Sequence, residues 1–103
     1  MKLNQLRDLV AIVEKGSLRG AARSLGVAQS GLTRSIRNLE RELGHPMFER
    51  EARGMVLTPM GRLFYQRASS VVNELRRADE EMAQAQGGAM GTVVAGLSIM
   101  PHL

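Results

Sequence analysis

Six polar side chains between residues 29 and 41 are spaced to share one face of a helix. They are Gln29, Ser30, Thr33, Arg34, Arg37 and Arg41. Amide, hydroxyl and guanidinium groups form the hydrogen bonds that read base edges in a DNA groove, and arginine also binds phosphate. The apolar residues between them recur at the helical intervals of 4, 3 and 4: Leu32, Ile36, Leu39 and Leu43. An apolar back and a cationic front are the two faces that a major-groove helix requires.

A shorter helix precedes this one, and the two together predict a helix-turn-helix over residues 18–37. The adjacent alanines Ala21 and Ala22 allow a second helix to cross the first closely. Gly26 lies where the chain must turn sharply, because glycine adopts the left-handed conformation at little cost. The helix-turn-helix is therefore expected to hold the polar face of its second helix outward.

A further helix over about residues 4–15 is predicted to complete the domain. Its apolar residues follow the same helical period, Gly16 ends it, and Ser17 caps the helix that comes next. The three helices are expected to share a core made of Leu6, Val10, Val13, Ala22, Leu25, Leu32, Ile36 and Leu39. The sequence thus predicts a mainly α-helical fold with a three-helix core.

The pattern changes after Gly44, where residues 47–57 predict a short β-hairpin with Gly54 in its turn. A hairpin directly after a recognition helix is a wing. Arg53 at its tip is expected to enter a minor groove or to contact phosphate. A connecting loop with solvated charges is the alternative interpretation of the same residues. With the wing, residues 1–58 are predicted to form a winged helix-turn-helix domain.

A long linker helix over residues 59–86 is predicted next, with Thr58 as its cap and Pro59 at its first position. An apolar stripe follows a seven-residue repeat along this helix, and we call it the linker stripe. Its members are Phe64, Ala68, Val71, Leu75, Ala78, Met82 and Ala85. We expect the linker stripe to pack against the same helix of a second copy, which makes a homodimer. Packing of the stripe on its own domain is the alternative.

The last segment, residues 87–103, is expected to be a hinge followed by the first strand of a truncated second domain. Two glycines at 87 and 88 and a third at 91 predict a flexible break in the chain. Residues 92–100 are apolar and predict a buried strand, and no other segment of this chain is predicted to pair with it.

The composition favours a polyanion as partner. All 14 lysine and arginine residues lie in residues 1–77, against seven acidic residues there. Only three aromatic residues occur, which argues against readers of single strands that stack bases on aromatic side chains. The charged residues of the first helix argue against a signal peptide, and no apolar run is long enough to cross a membrane. We therefore expect a cytoplasmic protein that does not contact membranes.

Catalysis and metal binding are not expected. The chain has no cysteine, which excludes thiol catalysis and cysteine-ligated zinc. His45 and His102 have no nucleophile or carboxylate at motif spacing. Glu40 and Glu42 are expected to form surface salt bridges with Arg37 or Arg41. No cofactor is expected in this chain.

Two functions remain open on these residues alone. The leading hypothesis is a sequence-specific reader of double-stranded DNA that regulates transcription, with two recognition helices on the half-sites of an interrupted inverted repeat. The alternative is a protein-interaction and dimerisation module, or a nonspecific DNA-binding protein, in which the basic face serves only solubility. The polar face between residues 29 and 41 favours the first hypothesis, because an interaction helix would carry exposed apolar anchors there.

The order of these elements resembles the LysR-type bacterial transcription regulators, of which this chain would be the DNA-binding domain and linker helix. The resemblance rests on four segments: 17–25 (SLRGAARSL), 32–44 (LTRSIRNLERELG), 47–50 (MFER) and 57–61 (LTPMG). It implies antiparallel pairing of the linker helices and a tetramer in the full-length protein. It also implies a C-terminal domain, absent from this chain, that binds a small-molecule effector.

The resemblance also implies roles for individual residues. Gln29, Ser30, Thr33 and Arg34 correspond to the base contacts in the major groove. Arg53 corresponds to the minor-groove residue of the wing, and Ser17 and Arg37 to phosphate contacts. Two positions depart from the family pattern, which commonly has serine in place of Ala28 and proline in place of Ser30. Because Ala28 cannot cap with its side chain, the recognition helix is expected to begin later, with Ser30 or solvent as its cap.

Overall fold

The protein is a winged helix-turn-helix followed by one long helix. The computed structural model describes residues 1–95, and the side chains of residues 1–86. Its elements are α1 (Leu3–Lys15), α2 (Leu18–Leu25), α3 (Gln29–Leu43), β1 (Phe48–Glu51), β2 (Gly54–Leu57) and α4 (Pro59–Ala95). The predicted fold class is therefore confirmed, with three core helices, a hairpin wing and a long final helix.

α1 lies at the centre of the domain and contacts α2, α3 and α4. Because neighbours cover it on several sides, more of its side chains are buried than the predicted core included. Leu9, Val10 and Ile12 are fully buried, whereas three predicted core residues, Leu6 and Val13 of α1 and Leu25 of α2, are only partly buried. Burying one such aliphatic side chain stabilises a fold by about 1.5–3 kcal/mol. α1 is thus the shared surface on which both the helix-turn-helix and α4 pack.

Two tight reversals set the angles between the first three helices. Gly16 ends α1 at a φ of 75° and Gly26 ends α2 at a φ of 70°, and both values lie in the left-handed region. Ser17 begins α2, with its Oγ accepting a hydrogen bond from the Gly20 N–H at 2.9 Å. The predicted stop, cap and turn are confirmed at all three positions.

The hairpin and α4 are joined at Thr58. The Thr58 hydroxyl donates to the Pro46 carbonyl oxygen at 2.7 Å and accepts from the Gly61 N–H at 2.9 Å, which confirms the predicted cap. The Thr58 N–H donates to the Met47 carbonyl oxygen at 2.9 Å. A side chain at Gly61 would overlap that same carbonyl group. The first turn of α4 is therefore locked against the base of the wing.

The linker stripe divides into two parts. Ala68 is 1% exposed and packs in the domain core with Val72, which is 2% exposed and was not a predicted member. Further along, Val71 is 42% exposed and Met82 is 52% exposed. A straight helix drifts by about 20° for each heptad, so a seven-residue stripe cannot stay on one neighbour. The alternative that the stripe packs on its own domain thus holds for the first part, whereas the second part leaves Val71 and Met82 exposed in the protomer.

The predicted end of the linker helix at residue 86 is wrong. α4 continues to Ala95, through the predicted glycine break and the first residues of the predicted strand. A glycine in a helix interior costs about 1 kcal/mol relative to alanine but does not forbid the helix. β1 and β2 pair only with each other, so within the described part of the chain a third strand would lack a partner. Residues 96–103, which include the rest of that predicted strand, lie outside the described residues.

Among residues 1–95, no helix is both long and apolar enough to cross a membrane.

Candidate nucleic-acid interface

The inner and outer faces of α3 are sharply different. Leu32, Ile36 and Leu39 are buried in the core, which fixes how the helix is rotated. The opposite face is solvent-exposed at Gln29, Ser30, Arg34 and Arg37, and Thr33 is half-buried. α3 therefore presents as one surface the polar side chains that the sequence predicted to be together.

α3 begins at Gln29, so the expectation of a later start is wrong. Ala28 occupies the cap position, and its carbonyl oxygen accepts the first helical hydrogen bond, from the Leu32 N–H at 3.1 Å. No side chain caps this end. A Cβ added to Gly31 would meet no atom within 4 Å, so this turn is open on its outer side. The helix start thus combines accessible backbone N–H groups with a surface that another molecule can approach closely.

Ser17 lies at the start of α2, where its hydroxyl oxygen caps the helix. The residue is half-buried. Because the oxygen accepts the cap bond, the hydroxyl hydrogen is available for donation to an external acceptor such as phosphate. The capping role is a property of the fold, and the phosphate contact stays a prediction.

A cleft of about 210 Å³ separates α3 from the wing. Thr33 and Arg37 line it from α3, and Arg50 lines it from β1. Side chains alternate between the two faces of a strand, so Arg50 shares the face of the buried Phe48 two residues earlier. Sequence reasoning did not select Arg50 as a site residue, although this alternation was the signal that could have identified it.

Glu40 connects α3 to the wing, and its predicted salt bridge is wrong. Its Oε2 accepts hydrogen bonds from the backbone N–H of Met47 at 2.7 Å and of Phe48 at 3.4 Å. The chain reverses at Gly44, whose φ is 77°, and this brings the start of β1 back to the carboxylate. The wing is thereby fixed relative to the recognition helix.

Glu42 does not pair with an arginine either. Its Oε2 lies 2.8 Å from the Met1 ammonium, and its Oε1 accepts from the Gln5 amide at 3.1 Å. These two hydrogen bonds, the ammonium first, lower the pKa of Glu42 below its ordinary value. Arg41 instead donates from Nη1 to the Asn38 Oδ1 at 3.0 Å. The C-terminal part of α3 therefore keeps its arginines free of carboxylate partners within the described residues.

Arg53 stands in the two-residue turn between β1 and β2 and is exposed. Gly54 follows it with a φ of 118° and pairs with Glu51 across the hairpin, which confirms the predicted hairpin turn. Glu49 and Glu51 alternate with Arg50 along β1. The basic groups of the wing are thus confined to its tip and to the side that faces α3.

No group of three histidine, cysteine or acidic side chains within the described residues is arranged to hold a metal ion.

Comparisons with known proteins agree with this geometry. The sequence model of the bacterial regulatory helix-turn-helix proteins of the lysR family matches residues 3–62. The HTH-type transcriptional regulator TfdS of Cupriavidus pinatubonensis is 38% identical over 93% of this chain, which spans 32% of that regulator's length. This chain is thus about a third as long as the curated relative that it matches.

Solved structures show the same likeness in three dimensions. The BenM DNA-binding domain in complex with benA site 1 DNA superposes with a TM-score of 0.72 at 39% identity, covering 82% of this chain and 99% of that one. The CbnR DNA-binding domain in complex with DNA superposes with a TM-score of 0.70 at 32% identity, covering 84% and 99%. From its sequence match and its fold, this chain belongs to the LysR-type family of bacterial transcription regulators and carries the DNA-binding helix-turn-helix of that family.

Proposed function

We propose that this chain reads a specific sequence of double-stranded DNA by placing α3 in the major groove, as the DNA-binding part of an effector-responsive transcription regulator. The observation that carries the proposal is the outer face of α3. Its polar side chains are exposed, and no hydrogen bond or ion pair to other described residues occupies Gln29, Arg34 or Arg37. Groups that are already positioned and unoccupied can meet base edges with little reorganisation.

We assign the contacts along α3 and its flanks as follows. Gln29, Ser30, Thr33 and Arg34 meet base edges, because they lie on the first two turns of the exposed face. Arg37 and Ser17 bind phosphate, and Arg53 at the wing tip enters the adjacent minor groove. The two similar DNA-binding domains whose structures contain DNA support DNA binding by this fold, and the assignment of individual contacts rests on the exposed positions along α3.

A homodimer through α4 would supply the second half-site reader. The second part of the linker stripe leaves Val71 and Met82 exposed and Leu75 half-buried in the protomer. The start of α4 carries only the cations Arg62 and Arg67, whereas residues 74–81 hold four acidic residues and two arginines. Antiparallel pairing places these regions of opposite net charge near each other and joins the exposed apolar side chains. Such a dimer presents its two recognition helices to an interrupted inverted repeat.

The properties of the longer protein follow from the family. A C-terminal domain would bind a small-molecule effector, and full-length chains would associate as tetramers. This chain itself requires no cofactor for the proposed activity and performs no catalysis. A cytoplasmic location, on the bacterial nucleoid when bound, is where such a regulator would act.

Selection of bound duplexes from a random double-stranded library tests the proposal, with the 103-residue chain at near-physiological salt. Enrichment of an interrupted inverted repeat is the expected result, and its spacing gives the distance between recognition helices. Binding without enrichment, lost as salt rises, would contradict sequence reading and favour a nonspecific DNA-binding protein. Failure to bind any duplex, with retained self-association, would favour an interaction module.

A further inference from the structure

We propose that α3 has a second phosphate-binding flank, on the side away from the wing, that holds the sugar–phosphate backbone of duplex DNA. We call it the N-terminal flank, and it consists of Lys2, Asn4, Asn38 and Arg41. It rests on the proposed function, because it assumes that α3 enters the major groove. It assigns to DNA positioning Lys2, Asn4 and Asn38, which the polar face of α3 does not include, and groups Arg41 of that face with them.

The N-terminal flank borders a groove of about 690 Å³. The start of α1 supplies one wall, with Lys2 and Asn4. The other wall is α3, where Arg34, Asn38 and Arg41 succeed one another at helical intervals of four and three residues. Arg34, a proposed base contact, thus lines the same groove as Asn38 and Arg41.

The groove is cationic despite one carboxylate. Lys2, Arg34 and Arg41 line it, and the acidic side chain among its lining residues is Glu42. Glu42 is compensated from within the chain, because it accepts from the Met1 ammonium at 2.8 Å and from the Gln5 amide at 3.1 Å. No salt bridge within the described residues occupies Lys2 or Arg41. The groove therefore offers uncompensated positive charge to an external anion.

Neutral donors accompany the cations. Arg41 donates to the Asn38 Oδ1 at 3.0 Å, which leaves the Asn38 amide NH₂ group directed to other acceptors. Guanidinium, ammonium and amide donors together are groups that bind phosphate oxygens in protein–DNA interfaces.

The geometry of the major groove gives this flank its partner. The groove is about 12 Å wide and an α-helix with side chains is about 10–12 Å across, so a docked helix has a phosphate backbone on each side. Arg37 and Arg50 lie on the side of α3 that faces the wing. The N-terminal flank faces the other side, where the second strand's phosphates pass. Docking of α3 in the major groove brings phosphates next to Arg34, whereas it gives no reason for an acidic protein surface to lie there.

Binding by Lys2→Ala and Arg41→Ala variants, measured across a salt series, tests the inference. The probes are a duplex recovered by selection and a scrambled duplex of the same length. Each lost phosphate contact is expected to lower the slope of log binding constant against log salt by about 0.9 for every protomer bound. The loss should be equal on both duplexes, because phosphates carry no sequence information. Arg41→Lys, which keeps the charge, should retain most of the slope.

Arg76→Ala is the matched control, because Arg76 is an exposed α4 arginine that lies 3.4 Å from Glu14 on a different surface. An unchanged slope in both flank variants, or an equal loss in the control, would overturn the inference. So would a loss of discrimination between the duplexes, since the flank would then be reading bases. If the wild-type chain selects a sequence but the flank variants keep the wild-type salt slope, this inference is refuted and the proposed function is not. A wild-type chain that binds neither duplex refutes the proposed function as well.

Discussion

α3 and the part of α4 beyond Ala68 both expose side chains for which we propose outside partners, and those side chains differ in chemistry: they are polar on α3 and apolar along the linker stripe of α4. The outer face of α3 is polar and stays hydrated in the free protein, while its inner face anchors it in the core. The outer face of α4 carries Val71 and Met82, whose burial is favourable whenever a neighbour supplies apolar surface. α3 is therefore stabilised by the core of its own chain, while its proposed DNA partner lies outside the chain. In α4, the contact that buries the exposed apolar side chains is also the contact that binds the partner.

The largest expected effect concerns the inner face of α3. Leu39→Ala removes a fully buried side chain, so we expect the free energy of unfolding to fall by about 2–5 kcal/mol. Chemical denaturation followed by circular dichroism measures this change. The loss should be the same at every protein concentration well above the dimer dissociation constant. A loss below about 1 kcal/mol would mean that α3 does not depend on the core for its position.

The matching change on α4 tests whether its partner is a second copy. Val71→Glu places a charge on a side chain that is 42% exposed in the protomer, so the fold should persist. Full burial of a valine is worth about 1.5–3 kcal/mol and Val71 is already more than half buried, so loss of its remaining burial from both protomers should raise the dimer dissociation constant by about tenfold or more. Sedimentation equilibrium measures this constant.

Gln84→Glu is the control for the charge itself, because Gln84 is an exposed α4 residue outside the linker stripe. Equal weakening of the dimer by both substitutions would indicate that net charge, rather than the linker stripe, governs association. A dimer unaffected by Val71→Glu would refute the proposed interface.

These two helices also mark how far the sequence determines the structure. Glycine stops at positions 16, 26 and 44 and the Thr58 cap were predictable, because each depends on residues within four or five positions along the chain. The partner of Glu40 was not, since it follows from the return of the chain after the helix. The burial of Val72 was not predictable either, because it depends on how α4 crosses α1 and not on the seven-residue repeat of α4.

The same distinction applies to the candidate site. The outward polar face of α3 followed from periodicity, and its exposure in the fold agrees with that prediction. The clustering of Arg50 with Arg37, and of Lys2 with Arg41, joins residues from different elements. No local pattern contains that information. The contacts to bases themselves stay predictions that a complex of this chain with DNA would test.

A smaller effect is expected at the outer face of α3, where no stability is at stake. Arg34→Ala removes an exposed side chain, so unfolding should be unchanged. Binding to the selected duplex should weaken by about 1–3 kcal/mol, with relaxed preference at one base position if Arg34 contacts a guanine edge. A repeated selection with the variant measures the preference. An unchanged preference would remove Arg34 from the base contacts and leave it as a phosphate contact.

The smallest effect should come from Glu42, which joins α3 to the start of α1. Its lowered pKa in the folded state means that the carboxylate stabilises the fold above its unfolded pKa, near 4.5, and that this contribution disappears as pH falls through the folded value. Glu42→Gln should therefore be slightly less stable than the wild type at pH 7, and the difference should close below pH 4.5. Denaturation of both proteins between pH 3 and 7 measures it. Because the group is solvent-exposed, the difference should also shrink in high salt. A stability difference that stays constant with pH would show that Glu42 acts through packing and not through its charge. The pairing of Glu42 with the Met1 ammonium would then not explain how its charge is compensated beside the N-terminal flank.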